Sequence, residues 1–176
     1  MKKSIIGSLF GKKNIIIDIG SWDNIEPSVT VASKGARVFA IDRYQRMEDF
    51  KEKLFKSVEK GEVEIEVAKR IHPMRADANR LPFSSESIDG ALFIYSISWL
   101  EQFGSEPLNV YKEVYRVLKK EGIVIIKEST KKRACLQESF LKTQMKTNRD
   151  GTIIIGRKNV IEKSIFHSKK YGPKRK

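Results

Sequence analysis

Apolar positions along the 176-residue chain fall into two alternating kinds of pattern, short continuous runs and longer stretches with helical spacing. "NIIIDIG", Asn14 to Gly20, is a β-branched run of the kind found in a central parallel strand buried on both faces. A short helix from Pro27 to Ser33 follows, with Pro27 early in its first turn and Gly35 at its end. "ARVFAID", Ala36 to Asp42, predicts a second buried strand that closes on an acid. Met47, Phe50, Leu54, Phe55 and Val58 then recur at helical spacing against a Lys/Glu face, and Gly61 punctuates that helix.

"RIHPMRAD", Arg70 to Asp77, predicts a strand near a sheet edge, because Pro73 cannot donate to a ladder. "IDGALFIYSIS", Ile88 to Ser98, reads as a fourth and strongly apolar strand. "PLNVYKEVYRVLKKEG" predicts an amphipathic helix with Val110, Val114, Val117 and Leu118 inward and Gly122 as its stop. "GIVIIKES" is the fifth strand, and "KKRACLQESF" a short helix. "LKTQMKTNRDGTIIIGRK" reads as two strands joined around "NRDG", whose Asp-Gly suits a tight hairpin turn. Strands alternating with helices imply an α/β fold, a parallel sheet covered on both faces. In such sheets ligands sit beyond the carboxyl ends of the strands, where the strand order reverses. That rule directs attention to Asp18 to Asn24, Asp42 to Tyr44, Asp77 to Asn79 and Tyr95 to Trp99.

In this order and spacing the runs resemble the class I S-adenosylmethionine-dependent methyltransferases, particularly the small single-domain type with a degenerate first motif. "IIIDIGSWDN" occupies the place of the family's acid-x-Gly-x-Gly-x-Gly turn. "VFAIDRY" is similar to the second motif, whose acid holds the ribose hydroxyls. "RADANRLPFSSESIDGALFIYSISWL" resembles the "D-x-x-x-L-P-F…F-D" segment and fourth strand. "EVYRVLKKEGIVIIKE" resembles the "E-x-x-R-V-L-K-P-G-G" phrase. The likeness spans Asn14 to Lys158. It implies a Rossmann-like, doubly wound, mostly parallel seven-stranded sheet with a C-terminal antiparallel hairpin, and S-adenosylmethionine as cofactor.

The resemblance also implies cofactor-binding residues. Asp42 would accept from the ribose diol, its alternative being a surface pairing with Arg43 or Arg46. Asp77 would accept from the adenine amino group beside the Ala78 N–H, and the alternative is an Asx turn with Asn79. Gly20 would let the backbone approach the amino-acid end of the ligand. Asp18 would orient the turn and meet the ammonium group, or simply cap a helix. Ser21, Trp22, Arg43 and Tyr95 complete the set. Trp22 and Asn24 replace the second and third motif glycines, and Asn24 is the milder change, since Asn tolerates left-handed backbone. The indole of Trp22 either fills the methionine pocket or turns outward and leaves it open.

No catalytic residue is assigned. Tyr95, Ser96, Ser98 and Trp99 border the reacting pocket. The chain has no Asn/Asp-Pro-Pro-Tyr/Phe motif for exocyclic amines, and Cys135 lacks the context of a covalent cytosine mechanism. Lys127 stands where ribose 2′-O-methyltransferases place a lysine, but its partner acid is missing, so it reads as a strand-end charge. His72 and His167 have no metal spacing, and no metal is expected.

Composition adds a partner class. The net charge is +13, of which +7 lies between Arg157 and Lys176, where eight basic residues face one acid. A basic tail favours a polyanion such as RNA, because each cation near a phosphate releases counterions. A solvated tail that aids solubility is the plain alternative. No apolar run approaches the roughly 18 residues of a membrane span, and one cysteine suits a reducing cytoplasm. The expected organisation is an N-terminal cap over 1–13, the methyltransferase-like domain over 14–158 and a basic tail over 159–176. Three functions fit this reading: a methyltransferase acting on RNA or another polyanion, a catalytically inactive module of the same fold that binds nucleic acid or protein, and a small-molecule methyltransferase. Oligomeric state is not legible in the sequence.

Overall fold

The computed structural model describes residues 8–43, 47–97, 107–129, 145–150 and 153–158. Within them lie seven strands, β1 (Ile15–Ile19), β2 (Arg37–Asp42), β3 (Ile71–Arg75), β4 (Ile88–Ile94), β5 (Leu118–Lys127), β6 (Met145–Asp150) and β7 (Ile153–Lys158). Four helices accompany them: α1 (Glu26–Ala32), α2 (Met47–Glu59), α3 (Ile65–Ala68) and α4 (Pro107–Val117). The strands form one sheet in the order β3-β2-β1-β4-β5-β7-β6. β1 to β5 are parallel, and β7 runs antiparallel to both β5 and β6. This is the Rossmann-like doubly wound sheet, with its C-terminal hairpin, that the motif order implies.

Period-two alternation sends successive β1 side chains to opposite faces. Ile16 packs with Val31, Ala32, Phe50 and Leu54 beneath α1 and α2. Ile17 and Ile19 pack with Val110, Val114 and Val117 of α4. Phe50 and Phe93 are fully buried, each burial worth roughly 2 kcal/mol. Phe93 meets Tyr111 edge to face, with ring centroids 5.8 Å apart. Phe10, ahead of β1, is also buried. It lies across β4 at Gly90, where a Cβ would come within 2.4 Å of its ring. The glycine inside "IDGALFI" therefore makes room for the N-terminal segment.

Several local expectations need correction. The fourth strand ends at Ile94, not Ser98, because Tyr95 takes a left-handed backbone (φ 59°). Gly122 does not stop α4. The helix ends at Val117, its last carbonyls taken by the Glu86 and Ser87 N–H groups, and the next residue already pairs in β5. Glu121, not Gly122, carries the positive φ there. Phe55 lies outside the buried stripe of α2 and is 63% exposed. The hairpin ladder closes at Asp150↔Ile153, so Asp150 is a strand residue and not a turn residue. The short helix proposed over "KKRACLQESF", together with Tyr44, Arg46, Ser98, Trp99, Cys135, His167 and the basic tail, lies outside the described residues.

Glu113 and Arg116 of α4 account for the "E-x-x-R" phrase. Arg116 bonds Glu113 through two nitrogens and donates to the Leu81 and Phe83 carbonyls, while Glu113 Oε1 accepts the Leu81 N–H at 2.8 Å. The Arg116 hydrogen bond holds the Glu113 carboxyl below its usual range. Together the pair clamps the "LPFSS" loop onto the helix. Arg116→Met leaves several of these groups unpaired and is expected to cost about 2 kcal/mol in urea unfolding.

Candidate active site at the carboxyl ends of β1, β2 and β4

The sheet order reverses at β1, which lies between β2 and β4. Beyond that point the chain builds a tight turn. Gly20 has φ 69°, and both its N–H and that of Ser21 bond the Ile41 carbonyl, at 2.8 and 3.3 Å. The Trp22 N–H reaches Asp42 Oδ2 at 3.2 Å. The Asn24 N–H returns to the Ser21 carbonyl at 2.8 Å, and Asn24 Oδ1 accepts from Glu26 at the start of α1. Asp23 is ion-paired to Lys53 of α2. β2 thus holds Gly20, Ser21 and Trp22, α2 holds Asp23, and Asn24 is tied to Ser21 and to the start of α1.

Gly20 is a cradle for something other than a side chain. A Cβ there would lie 2.5 Å from Ser96 Cβ, so the turn after β1 touches the end of β4. Ser21 and Ser96 are both buried. Among the described residues neither hydroxyl has a hydrogen-bond partner. Leaving a buried hydroxyl unsatisfied costs about 1–3 kcal/mol. Two such groups flanking a glycine turn fit a polar ligand that completes their bonds.

The replaced glycines behave differently from the expectation. Trp22, and not Asn24, takes the left-handed backbone, with φ 44°. The turn has kept a glycine's geometry at that position, at a cost of about 1 kcal/mol for a residue with a Cβ. Asn24 serves instead as the acceptor for the first N–H of α1. Trp22 itself is half-buried.

Asp18 is buried beneath the turn. The Ser28 hydroxyl of α1 donates to its Oδ2 at 2.7 Å. Burial raises the Asp18 carboxyl from 3.8 to about 7, and the Ser28 bond only partly opposes this. Ser28 was not legible as a site residue, although a serine inside the buried stripe of Pro27, Val31 and Ala32 is a signal for a buried polar partner.

At the other strand ends, Asp42 spends one oxygen on the Trp22 N–H, and the Asp42 carbonyl accepts from Ala76 at 3.0 Å. Arg43 turns toward Asp77, with Nε 3.9 Å from Oδ2. Asp77 makes the Asx turn, its Oδ1 accepting from the Asn79 backbone and side chain at 2.9 Å. Ala78 is buried in the core. Tyr95 is exposed, and its N–H bonds the Lys127 carbonyl at 2.9 Å. Glu128, next along the chain, is buried. Contacts therefore link Ser96 to Gly20, Trp22 to Asp42, and Arg43 to Asp77 around one end of the sheet. The Asp18 side chain lies beneath the turn, one oxygen bonded to Ser28 of α1. His72 stands on the edge strand, its ring tilted against Phe39 with centroids 5.2 Å apart. Among the described residues no cluster of three metal-ligating side chains exists, and no helix is long and apolar enough to cross a membrane.

This arrangement has close structural company. The chain is similar to a SAM-dependent methyltransferase from Aquifex aeolicus, at 18% identity and TM-score 0.58, over 84% of this chain and 82% of that one. It is similar to an S-adenosylmethionine-dependent methyltransferase of Methanococcus maripaludis at 14% identity and TM-score 0.62, covering 86% and 80%. A Haloferax volcanii methyltransferase, solved in complex with the activator Trm112, aligns at 12% identity and TM-score 0.62, covering 85% and 84%. These likenesses show the fold. No curated protein matches the chain significantly. The family model described as "Methyltransferase domain" matches residues 18–126, more than half of the chain. The chain belongs to that family, the class I S-adenosylmethionine-dependent methyltransferases, and S-adenosylmethionine is its cofactor.

Proposed function

We propose that the protein transfers a methyl group from S-adenosylmethionine to RNA or another polyanionic acceptor. The observation that carries the cofactor half is the Gly20–Ser96 contact, flanked by two buried hydroxyls without partners among the described residues. Gly20 and Ser21 would hold the amino-acid end, Asp42 the ribose and the Arg43–Asp77–Ala78 segment the adenine. The cofactor supplies an electrophilic methyl group. The chain's contribution is to orient it, because such an in-line displacement is accelerated largely by positioning. The net charge of +13 supports the polyanionic acceptor.

A catalytically inactive module of the same fold is favoured by one observation, the strained Trp22 in a glycine's place. Calorimetry separates the two readings. Wild-type protein is expected to bind S-adenosylhomocysteine with micromolar affinity, and no heat at millimolar ligand sinks the cofactor assignment. Trp22→Gly removes the left-handed strain and the indole together. Binding that appears only in this variant would identify the native turn as occluded. For the acceptor, deletion of Lys169 to Lys176 should weaken RNA binding and flatten its salt dependence, and an unchanged slope would count against the tail.

A further inference from the structure

We propose that Tyr95 and Lys127 form a docking pair for single-stranded RNA at the mouth of the site, the base stacking on the Tyr95 ring and a neighbouring phosphate meeting the Lys127 ammonium. The proposal rests on the polyanionic-acceptor reading above and names the residues that would read it.

β4 and β5 end on one rung, with Ile94 opposite Lys127. The Tyr95 N–H then bonds the Lys127 carbonyl at 2.9 Å, which holds the two residues side by side. Lys127 Nζ stands 4.8 Å from the Tyr95 ring centroid, inside the range of a cation–π contact. The tyrosine ring fixes the direction of the charge. Among the described residues no carboxylate pairs with Lys127. Tyr95 is 42% exposed, although a tyrosine could bury most of its ring elsewhere on this sheet.

The backbone at Tyr95 explains why the ring stands where it does. Its φ of 59° is a conformation that a bulky residue adopts only at a cost, and such outliers collect at functional sites. The strained step separates two neighbours. Ser96 goes inward against Gly20, and Tyr95 stays at the surface. A molecule stacked on Tyr95 is therefore one residue away from the cofactor turn. An oriented cation without a carboxylate partner beside an exposed ring matches a nucleotide's two parts, phosphate and planar base. A duplex hides its base faces, so the fit is to an unpaired strand.

Fluorescence anisotropy with a labelled ten-nucleotide oligouridylate tests this, using an abasic phosphate chain of equal length as control. Tyr95→Asn removes the ring and relaxes the backbone, since Asn tolerates left-handed angles. It is expected to weaken oligouridylate binding about tenfold and abasic binding no more than about twofold. Lys127→Gln should weaken both several-fold, lower the slope of log K against log salt by about 0.7, and keep wild-type affinity for S-adenosylhomocysteine. Thermal melts confirm that both variants fold. If wild-type protein binds the oligonucleotide and both variants bind equally well, the pair is not the docking site. Equal loss on both probes for Tyr95→Asn also overturns it, as does competition by polyglutamate matching that by oligouridylate. Failure of wild-type protein to bind either chain, with S-adenosylhomocysteine still bound, would defeat the polyanionic reading and this pair with it.

Discussion

Asp18→Asn makes the folded protein more stable at pH 8 by on the order of 4 kcal/mol, while leaving its stability near pH 4 almost unchanged. The Asp18 carboxyl is raised from 3.8 in the unfolded chain to about 7 in the fold, chiefly by burial. Below pH 3.8 both states hold the proton and the group contributes no difference. Between 3.8 and 7 the unfolded chain loses the proton and the folded one keeps it, so stability falls by about 1.4 kcal/mol per pH unit. Above pH 7 the loss is complete. Asn is neutral throughout, and its amide oxygen can still accept from Ser28, which donates to Asp18 at 2.7 Å. Urea unfolding at pH 4, 6 and 8 reads the effect, and a variant less stable than wild type at pH 8 would refute it. A cationic cofactor within reach of the carboxyl would ionise it on binding and release a proton. Calorimetry in two buffers of different ionisation enthalpy should show that release in wild-type protein and not in Asp18→Asn.

Gly20→Ala is expected to cost about 3 kcal/mol and to abolish cofactor binding. Two causes add. The backbone is left-handed, with φ 69°, which costs an alanine roughly 1 kcal/mol. Its Cβ would also lie 2.5 Å from Ser96 Cβ, too close for any real pair, so β1 and β4 must part at the ligand end. Ser96→Gly in the same chain removes the second cause but not the first. The double variant should recover about half of the lost stability, a coupling of roughly 1–2 kcal/mol in a double-mutant cycle. Additive losses would show that the two residues do not touch.

The sequence made the strands legible because their runs are continuous and end on marked residues. Ile16 to Ile19 are buried on both faces of β1, and Val38, Ala40 and Ile41 are buried in β2, as such continuous runs imply. It was less informative wherever a distant partner decides the outcome. Gly122 has the look of a helix stop, yet Glu86 and Ser87 take the α4 carbonyls thirty residues away in sequence and end the helix earlier. Phe55 fits a helical pattern, but the stripe through Met47, Phe50 and Leu54 is already complete without it. In the candidate site, Gly20 and Asp42 were readable from position alone. The backbone of Trp22 was not, because residue type argues against a left-handed tryptophan, while the turn is anchored by bonds to Ile41 and Asp42 of another strand. Ser28 and Glu128 are hidden in the sequence for the opposite reason. Each is an ordinary polar residue whose burial depends on the assembled sheet.

Lys158 bears on the order in which this domain can finish forming on a ribosome. It is buried at the end of β7, and its Nζ donates to the Tyr115 carbonyl at 2.9 Å and the Leu118 carbonyl at 2.7 Å, over the Tyr115 ring. Two carbonyls at the junction of α4 and β5 are thus bonded by a residue made 40 positions after Leu118. At roughly 5–20 residues per second, synthesis leaves those two carbonyls waiting for several seconds. The nascent chain would hold β1 to β5 before it holds the cation that bonds the Tyr115 and Leu118 carbonyls, so these two acceptors wait longest for their partner.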